Sequence, residues 1–142
     1  MSAITLDRID LTLLAELQRA ARQTNAELAE RVHLSASACL RRVQRLEREG
    51  VIAGYRAEVD AERLGLGLQA FVRVQLKQHD AGSVAAFAHH VNAWSEVVAC
   101  HALTGDMDYL LQIAVADLDH FSRFLLDNLL AEAGVADVNS SF

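Results

Sequence analysis

Four arginines, Arg41, Arg42, Arg45 and Arg48, fall within eight positions of the stretch HLSASACLRRVQRLEREG, residues 33–50. Guanidinium groups at that density suit an anionic partner. Their planar fork pairs bidentately with phosphate or with the O6/N7 edge of guanine. The competing reading is a solvated helix face on which Glu47 and Glu49 offset part of the charge. A second constellation is Thr104-Gly105-Asp106-Met107-Asp108. Gly105 permits a positive φ and exposes amides to a carboxylate, and Asp106 or Asp108 can receive an ammonium group. A zwitterionic amino acid needs both kinds of partner. The same residue types are also ordinary turn formers.

Other chemistry finds less support. Cys39 and Cys100 each lie in an apolar pattern and read as buried free thiols, which fits a reducing cytoplasm. No Cys/His spacing resembles a zinc site. GLGLQA, residues 65–70, has the form G-x-G-x-x-A but precedes a strand instead of following one, so it reads as a hinge and not as a dinucleotide site. Asp106 and Asp108 lie two apart in a turn with no partner base, so a triad or paired-carboxylate mechanism is not indicated.

The chain has 142 residues, 52% of them hydrophobic, enough for a real core. It has no proline. No apolar run approaches the roughly 20 residues of a membrane helix. The N-terminal MSAITLDRIDLTLL lacks the basic region of a signal peptide. Net charge is −6 and unevenly spread. Residues 1–65 hold ten arginines and ten acids, whereas residues 66–142 hold Arg73, Lys77 and Arg123 against nine acids. The acidity belongs to the second half, and an anionic partner for the first half is not excluded.

The elements that must carry the arginines are helical. Ile9, Leu13, Leu14 and Leu17 recur at helical spacing. Thr24 followed by Glu27 is a capping box opening a short helix with Leu28, Ala29 and Val32 on its apolar face. His33-Leu34-Ser35 interrupts; Ser35 caps a third helix that runs to Gly50. At about 100° per residue, Ala36, Cys39, Leu40, Val43 and Leu46 share one arc of roughly 120°. Ser37, Arg41, Arg42, Gln44, Arg45 and Arg48 fall opposite. The short break between the second and third helices suits a helix-turn-helix. VIAGYRAEV, residues 51–59, reads as strand, turn and strand, a wing. Ser37, Arg41 and Arg45 are then placed for base-edge contacts and Arg42, toward the edge of the polar arc, for phosphate. Arg48 reads as solvated.

The Thr104–Asp108 turn sits in a different pattern. Val72, Val74 and Leu76 alternate with Arg73, Gln75 and Lys77, a strand. AGSVAAFAHHVNAW is helical, SEVVACHAL and DYLLQIAVA are strands, and DLDHFSRFLLDNLLAEA is an amphipathic helix with Phe121, Phe124, Leu125 and Leu129 on one side. GVADVNSSF opens a last strand. The order β-α-β-β-α-β is ferredoxin-like, making the chain α+β. Two helices cover one sheet face. The other face reads as largely apolar, with Leu110 and Ala114 on it, and calls for a second copy.

Taken together, NAELAERVHLSASACLRRVQRLEREGVIAGYRAEVD, LGLQAFVRVQL, SEVVACHALTGDMDYLLQIAV and the final SSF resemble the leucine-responsive/asparagine-responsive (Lrp/AsnC, feast/famine) bacterial regulators over essentially the whole chain. The resemblance implies a winged helix-turn-helix at 1–59 with its motif at about 26–45, a linker at 60–68, and an amino-acid-sensing, dimerising (RAM-type) domain at 69–142. It implies a cytoplasmic, nucleoid-associated transcription regulator of amino-acid metabolism that binds double-stranded DNA, with no cofactor, metal or membrane partner. Homodimers would form through the sheets and assemble into octamers or wrap DNA. The DNA-contacting set is then Ser35, Ser37, Arg41, Arg42 and Arg45. A small apolar amino acid, leucine or methionine, would bind between subunits near the T-G-x-x-D turn, at Thr104, Gly105, Asp106, Asp108 and Tyr109. The chain departs from the family at Ala36, Ala61 and Ser95, near which proline is common, and it stops at Phe142, where members usually continue through the last strand.

Two other functions fit parts of the pattern. Sirohaem decarboxylases share this two-part architecture and act on a tetrapyrrole through histidines; six histidines occur here, including His89, His90 and His101. A stand-alone amino-acid sensor would not need the arginine face.

Overall fold

The computed structural model describes residues 4–142, which form two compact units, one running to Glu58 and the other from Val59 to Phe142. The first holds three helices, α1 (Arg8–Arg19), α2 (Asn25–Arg31) and α3 (Ala36–Arg48). Each starts where a short polar side chain satisfies orphan backbone amides. For α1 the residues are Asp7 and Asp10: the Asp10 amide donates to Asp7 Oδ1 at 2.8 Å and the Asp7 amide to Asp10 Oδ2 at 3.1 Å. For α2 they are the expected Thr24 and Glu27, at 3.2 and 2.9 Å. For α3, Ser35 Oγ accepts from the Ala38 amide at 3.2 Å.

The connection between α2 and α3 is residues 32–35. His33 adopts φ +58°, a left-handed conformation uncommon outside glycine. Its amide donates to the Glu30 carbonyl and the Leu34 amide to that of Ala29, the double bond of a Schellman ending. Asn25 Nδ2 donates to the Ala36 carbonyl at 2.7 Å and ties the starts of the two helices together. Leu13, Leu28, Ala29, Val32, Cys39 and Leu46 form the buried core, with Val51 and Ile52 against its edge.

Three details of this unit differ from the sequence reading. Residues 51–60 form no strand; only Val51 and Ile52 dock on the core, and an isolated two-stranded hairpin is marginal in water. Tyr55 instead ties this segment to α3, its hydroxyl donating to Glu47 Oε1 at 2.9 Å. Leu40, assigned to the apolar arc, is 45% exposed, and Ala36 is exposed with it. The buried stripe of α3 is therefore narrower and centres on Cys39 and Leu46.

The second unit is a four-stranded antiparallel sheet in the order β2-β3-β1-β4, the ferredoxin-like arrangement. The strands are β1 (Leu68–Leu76), β2 (Val97–Ala102), β3 (Tyr109–Val115) and β4 (Val135–Ser141). Helices α4 (Ala81–Ala93) and α5 (Leu118–Phe124) begin at Asp80 and Asp117, whose side chains accept from Ser83 and His120 amides. Phe87 and Val91 of α4 and Phe121 and Phe124 of α5 pack with Val72, Val74, Leu111, Ile113 and Val115. The α5 chain does not continue as one α-helix. Residues 125–129 form a π turn, with the Leu130 amide donating to Leu125 at 2.9 Å. The wider turn absorbs an extra residue, and Leu129 reaches the core fully buried.

The uncovered sheet face is mixed instead of largely apolar. Phe71, Leu110 and Ala114 share it with Gln69, Arg73, Gln75 and Gln112, because β1 alternates and sends its polar residues outward. A register shift between Val97 and Ala99 breaks the simple alternation of β2. As a result Ala99 pairs with Gln112 and His101 with Leu110, while Val97 pairs with the buried Ile113. Cys39 is fully buried as expected, and burial raises its thiol pKa. Cys100 is exposed on β2, which corrects its assignment as a buried thiol.

Candidate nucleic-acid interface and effector turn

The four arginines of α3 divide into two pairs. Arg42 Nη1 lies 2.7 Å from Asp7 Oδ2 and 3.0 Å from Asp10 Oδ1. Arg45 reaches Asp10 Oδ2 at 3.4 Å, the Thr5 carbonyl at 2.8 Å and Glu49 at 3.1 Å. The Asp10 side chain is 1% exposed, so this buried carboxylate is neutralised by two guanidinium groups from α3. The pair that caps α1 thus also fastens α3 to it. Asp7 is held below the usual carboxylate range by the Asp10 amide and then by Arg42, and Arg42 is raised by the carboxylates of Asp7 and Asp10. The sequence placed Arg42 and Arg45 among the DNA-contacting residues; the structure turns both toward α1.

Arg41 and Arg48 are exposed and, among the described residues, make no ion pair. They share an outward strip with Ser37, Leu40 and Gln44. Ser37 Oγ lies 3.3 Å from Ser35 Oγ, whose principal role is the helix cap. Arg48, expected to be merely solvated, belongs to this strip by helical phase. Gln44 and Leu40 were absent from the expected contact set. The helical wheel puts Gln44 on the polar side, but the carboxylates that draw Arg42 and Arg45 toward α1 lie 32 and 35 positions away in sequence.

The five residues expected around the effector turn also separate. Thr104, Gly105 and Asp106 are exposed at the tip between β2 and β3, and Gly105 takes φ +108°. Asp108 faces inward. Its carboxylate accepts from the Leu76 amide at 2.7 Å and lies 2.9 Å from His79 Nε2, while its own amide donates to Val74. These bonds, the Leu76 amide first, hold its carboxyl below the usual range. The Tyr109 ring packs on Phe87 at 5.0 Å and belongs to the helix-covered core. Asp108 and Tyr109 therefore hold the turn in place, and the exposed polar groups are those of residues 104–106. His79 is the residue the sequence did not point to, since it lies 29 positions from Asp108.

The rings of His89 and His90 lie 5.9 Å apart on α4, and His101 does not join them. His90 Nδ1 pairs with Glu132 at 2.8 Å on α4, which covers one sheet face, and His101 lies opposite Leu110 on the other. Within the described residues no group of three potential metal ligands occurs. GLGLQA leads into β1, with Gly65 at φ +76° closing a 3₁₀ turn at Glu62–Leu64, in keeping with a connector.

Three capped helices with a tight second connection, and a basic strip on the third, define a helix-turn-helix DNA-binding protein. Similarity to known proteins carries this further. Residues 6–53 match winged helix-turn-helix DNA-binding domains and residues 69–142 match the Lrp/AsnC ligand binding domain. The chain is 43% identical over 137 residues to the leucine-responsive regulatory protein of Rhizobium meliloti, covering 96% of this chain and 88% of that one. It is 40% identical over 137 residues to the Bkd operon transcriptional regulator of Pseudomonas aeruginosa, covering 96% and 90%. A transcriptional regulator of Neisseria meningitidis, solved with L-methionine, superposes with a TM-score of 0.94 at 48% identity, covering 97% and 89%. The chain belongs to the Lrp/AsnC family of DNA-binding transcriptional regulators.

Proposed function

We propose that this regulator binds double-stranded DNA through the outer strip of α3 and controls genes of amino-acid metabolism in response to a small apolar amino acid. In this reading Ser37 and Arg41 meet the base edges. Ser35, Arg42 and Arg45 act by setting the position of α3. Leucine and methionine are the leading effectors, supported by the names of the relatives and by the methionine bound to the Neisseria protein. The effector's carboxylate meets the amides near Gly105 and its ammonium group meets Asp106, between subunits of a homodimer that assembles further into octamers. The protein works by binding, without a cofactor, in the bacterial cytoplasm on the nucleoid.

The observation that carries the reading is the division of the arginines: Arg42 and Arg45 anchor the helix internally, and Arg41 is left facing outward beside Ser37. Promoter binding measured by fluorescence anisotropy tests it. Affinity should fall steeply between about 50 and 200 mM salt. Arg41→Ala should weaken binding with the assembly state unchanged by light scattering. Unaltered affinity in that variant would remove α3 from the interface.

A further inference from the structure

From the strip left open on α3 we infer that Gln44 and Leu40 determine sequence preference, reading one adenine–thymine pair in each half-site. The inference rests on α3 being the DNA-reading helix. Ser37, Leu40, Arg41, Gln44 and Arg48 share an arc of about 100° on the helix and span about 16 Å along it. Arg42 and Arg45, the other two arginines of this helix, point away toward Asp7 and Asp10, and Glu47 is held by Tyr55. The side chains left to reach a groove are thus fixed by the ion pairs behind them.

Two features of the strip carry base information. Gln44 is exposed at mid-helix and, among the described residues, its amide makes no hydrogen bond, whereas Gln23 uses its own to cap the end of α1. A glutamine amide donates and accepts at once and matches the N6/N7 edge of adenine, a pattern no other base pair presents in the major groove. Leu40, one turn before it, is 45% exposed although its neighbours Cys39 and Leu46 are fully buried. An outward leucine one turn from that amide is placed to cover the thymine C5-methyl group. Arg41 and Arg48 flank the two with positive charge, and neither Gln44 nor Leu40 contributes charge, so together they affect selectivity and leave the salt dependence alone.

Selection of the intact protein against a pool of random double-stranded DNA, followed by sequencing, tests the inference. Wild type should enrich a two-fold symmetric motif with an A·T pair at a fixed place in each half-site. Gln44→Ala should lose the preference there and bind the selected duplex about tenfold more weakly, with affinity for random duplex and the salt slope unchanged. Leu40→Ala should accept uracil in place of thymine at that position without the penalty seen for wild type. A Gln44→Ala variant that enriches the wild-type motif unaltered would overturn the assignment while leaving DNA recognition by α3 intact. A wild-type protein that enriches no motif, or an Arg41→Ala variant indistinguishable from wild type, would instead overturn the underlying reading of α3.

Discussion

Asp108 and His79 meet at 2.9 Å across the gap between the start of β3 and the chain leaving β1, with the Leu76 amide closing the same carboxylate at 2.7 Å. The contact fixes the base of the exposed Thr104–Asp106 tip to the sheet. Because the folded pKa of Asp108 is lowered, its contribution to stability is complete above the unfolded aspartate value of about 3.9. It is lost as the pH falls from there through the lower folded value. Asp108→Asn should therefore melt below wild type at pH 7, and the gap should close as both are taken toward pH 3. Thermal denaturation followed by circular dichroism across that range measures it; a gap independent of pH would assign the bond no charge component.

The carboxylate of Asp10 makes a second prediction. It is almost wholly buried, and among the described residues its charge is balanced from α3 alone. Asp10→Asn keeps the shape and removes the charge. Both arginines retain a second carboxylate, Asp7 or Glu49, so the cost should be about 2 kcal/mol, below the ~3–5 kcal/mol of breaking a fully enclosed pair. Denaturant titration of the variant against wild type gives the value. DNA affinity should fall with it as α3 loses part of its anchorage on α1.

On the DNA side, Arg41 and Arg42 are neighbours in sequence with opposite expectations. Arg41→Ala should lower the slope of log affinity against log salt by about one counterion without changing the melting temperature. Arg42→Ala should lower the melting temperature and leave the slope close to wild type. Salt titrations and thermal melts on the same two variants separate the roles, and a swapped outcome would mean that Arg42 leaves Asp7 for the duplex.

For the tip, a methyl group added to Gly105 would meet open space, so alanine at this φ of +108° tests conformation and not crowding. Gly105→Ala should cost about 1 kcal/mol through the strained backbone. It should also abolish the rise in melting temperature that leucine or methionine gives wild type. At 100 times the dissociation constant that rise corresponds to about 2.7 kcal/mol. An undiminished response to the amino acid would move the effector away from these amides.

What the sequence disclosed was what is local. Thr24 with Glu27, and Ser35 before Ala38, act over three residues and are visible as patterns. The alternation of β1 and the helix-sheet order of the second unit are periodic and equally legible. The relations that decide which side chains are free are not local: Asp10 meets Arg42 across 32 positions and Asp108 meets His79 across 29. A helical wheel gives the direction of Arg42 and Arg45 but not what waits there. The register shift in β2 and the π turn after α5 likewise depend on what each chain packs against, and each moves the phase of the residues beyond it. Leu40 shows the converse, an apolar residue whose type suggested the core and whose neighbours left it outside.

The fastening of Arg42 and Arg45 to α1 also bears on how tightly a single copy can hold DNA. The two outward guanidinium groups left on α3 displace few counterions by themselves. In the proposed homodimer two such helices engage one stretch of duplex together, and the second contact forms at the effective concentration that the linkage sets.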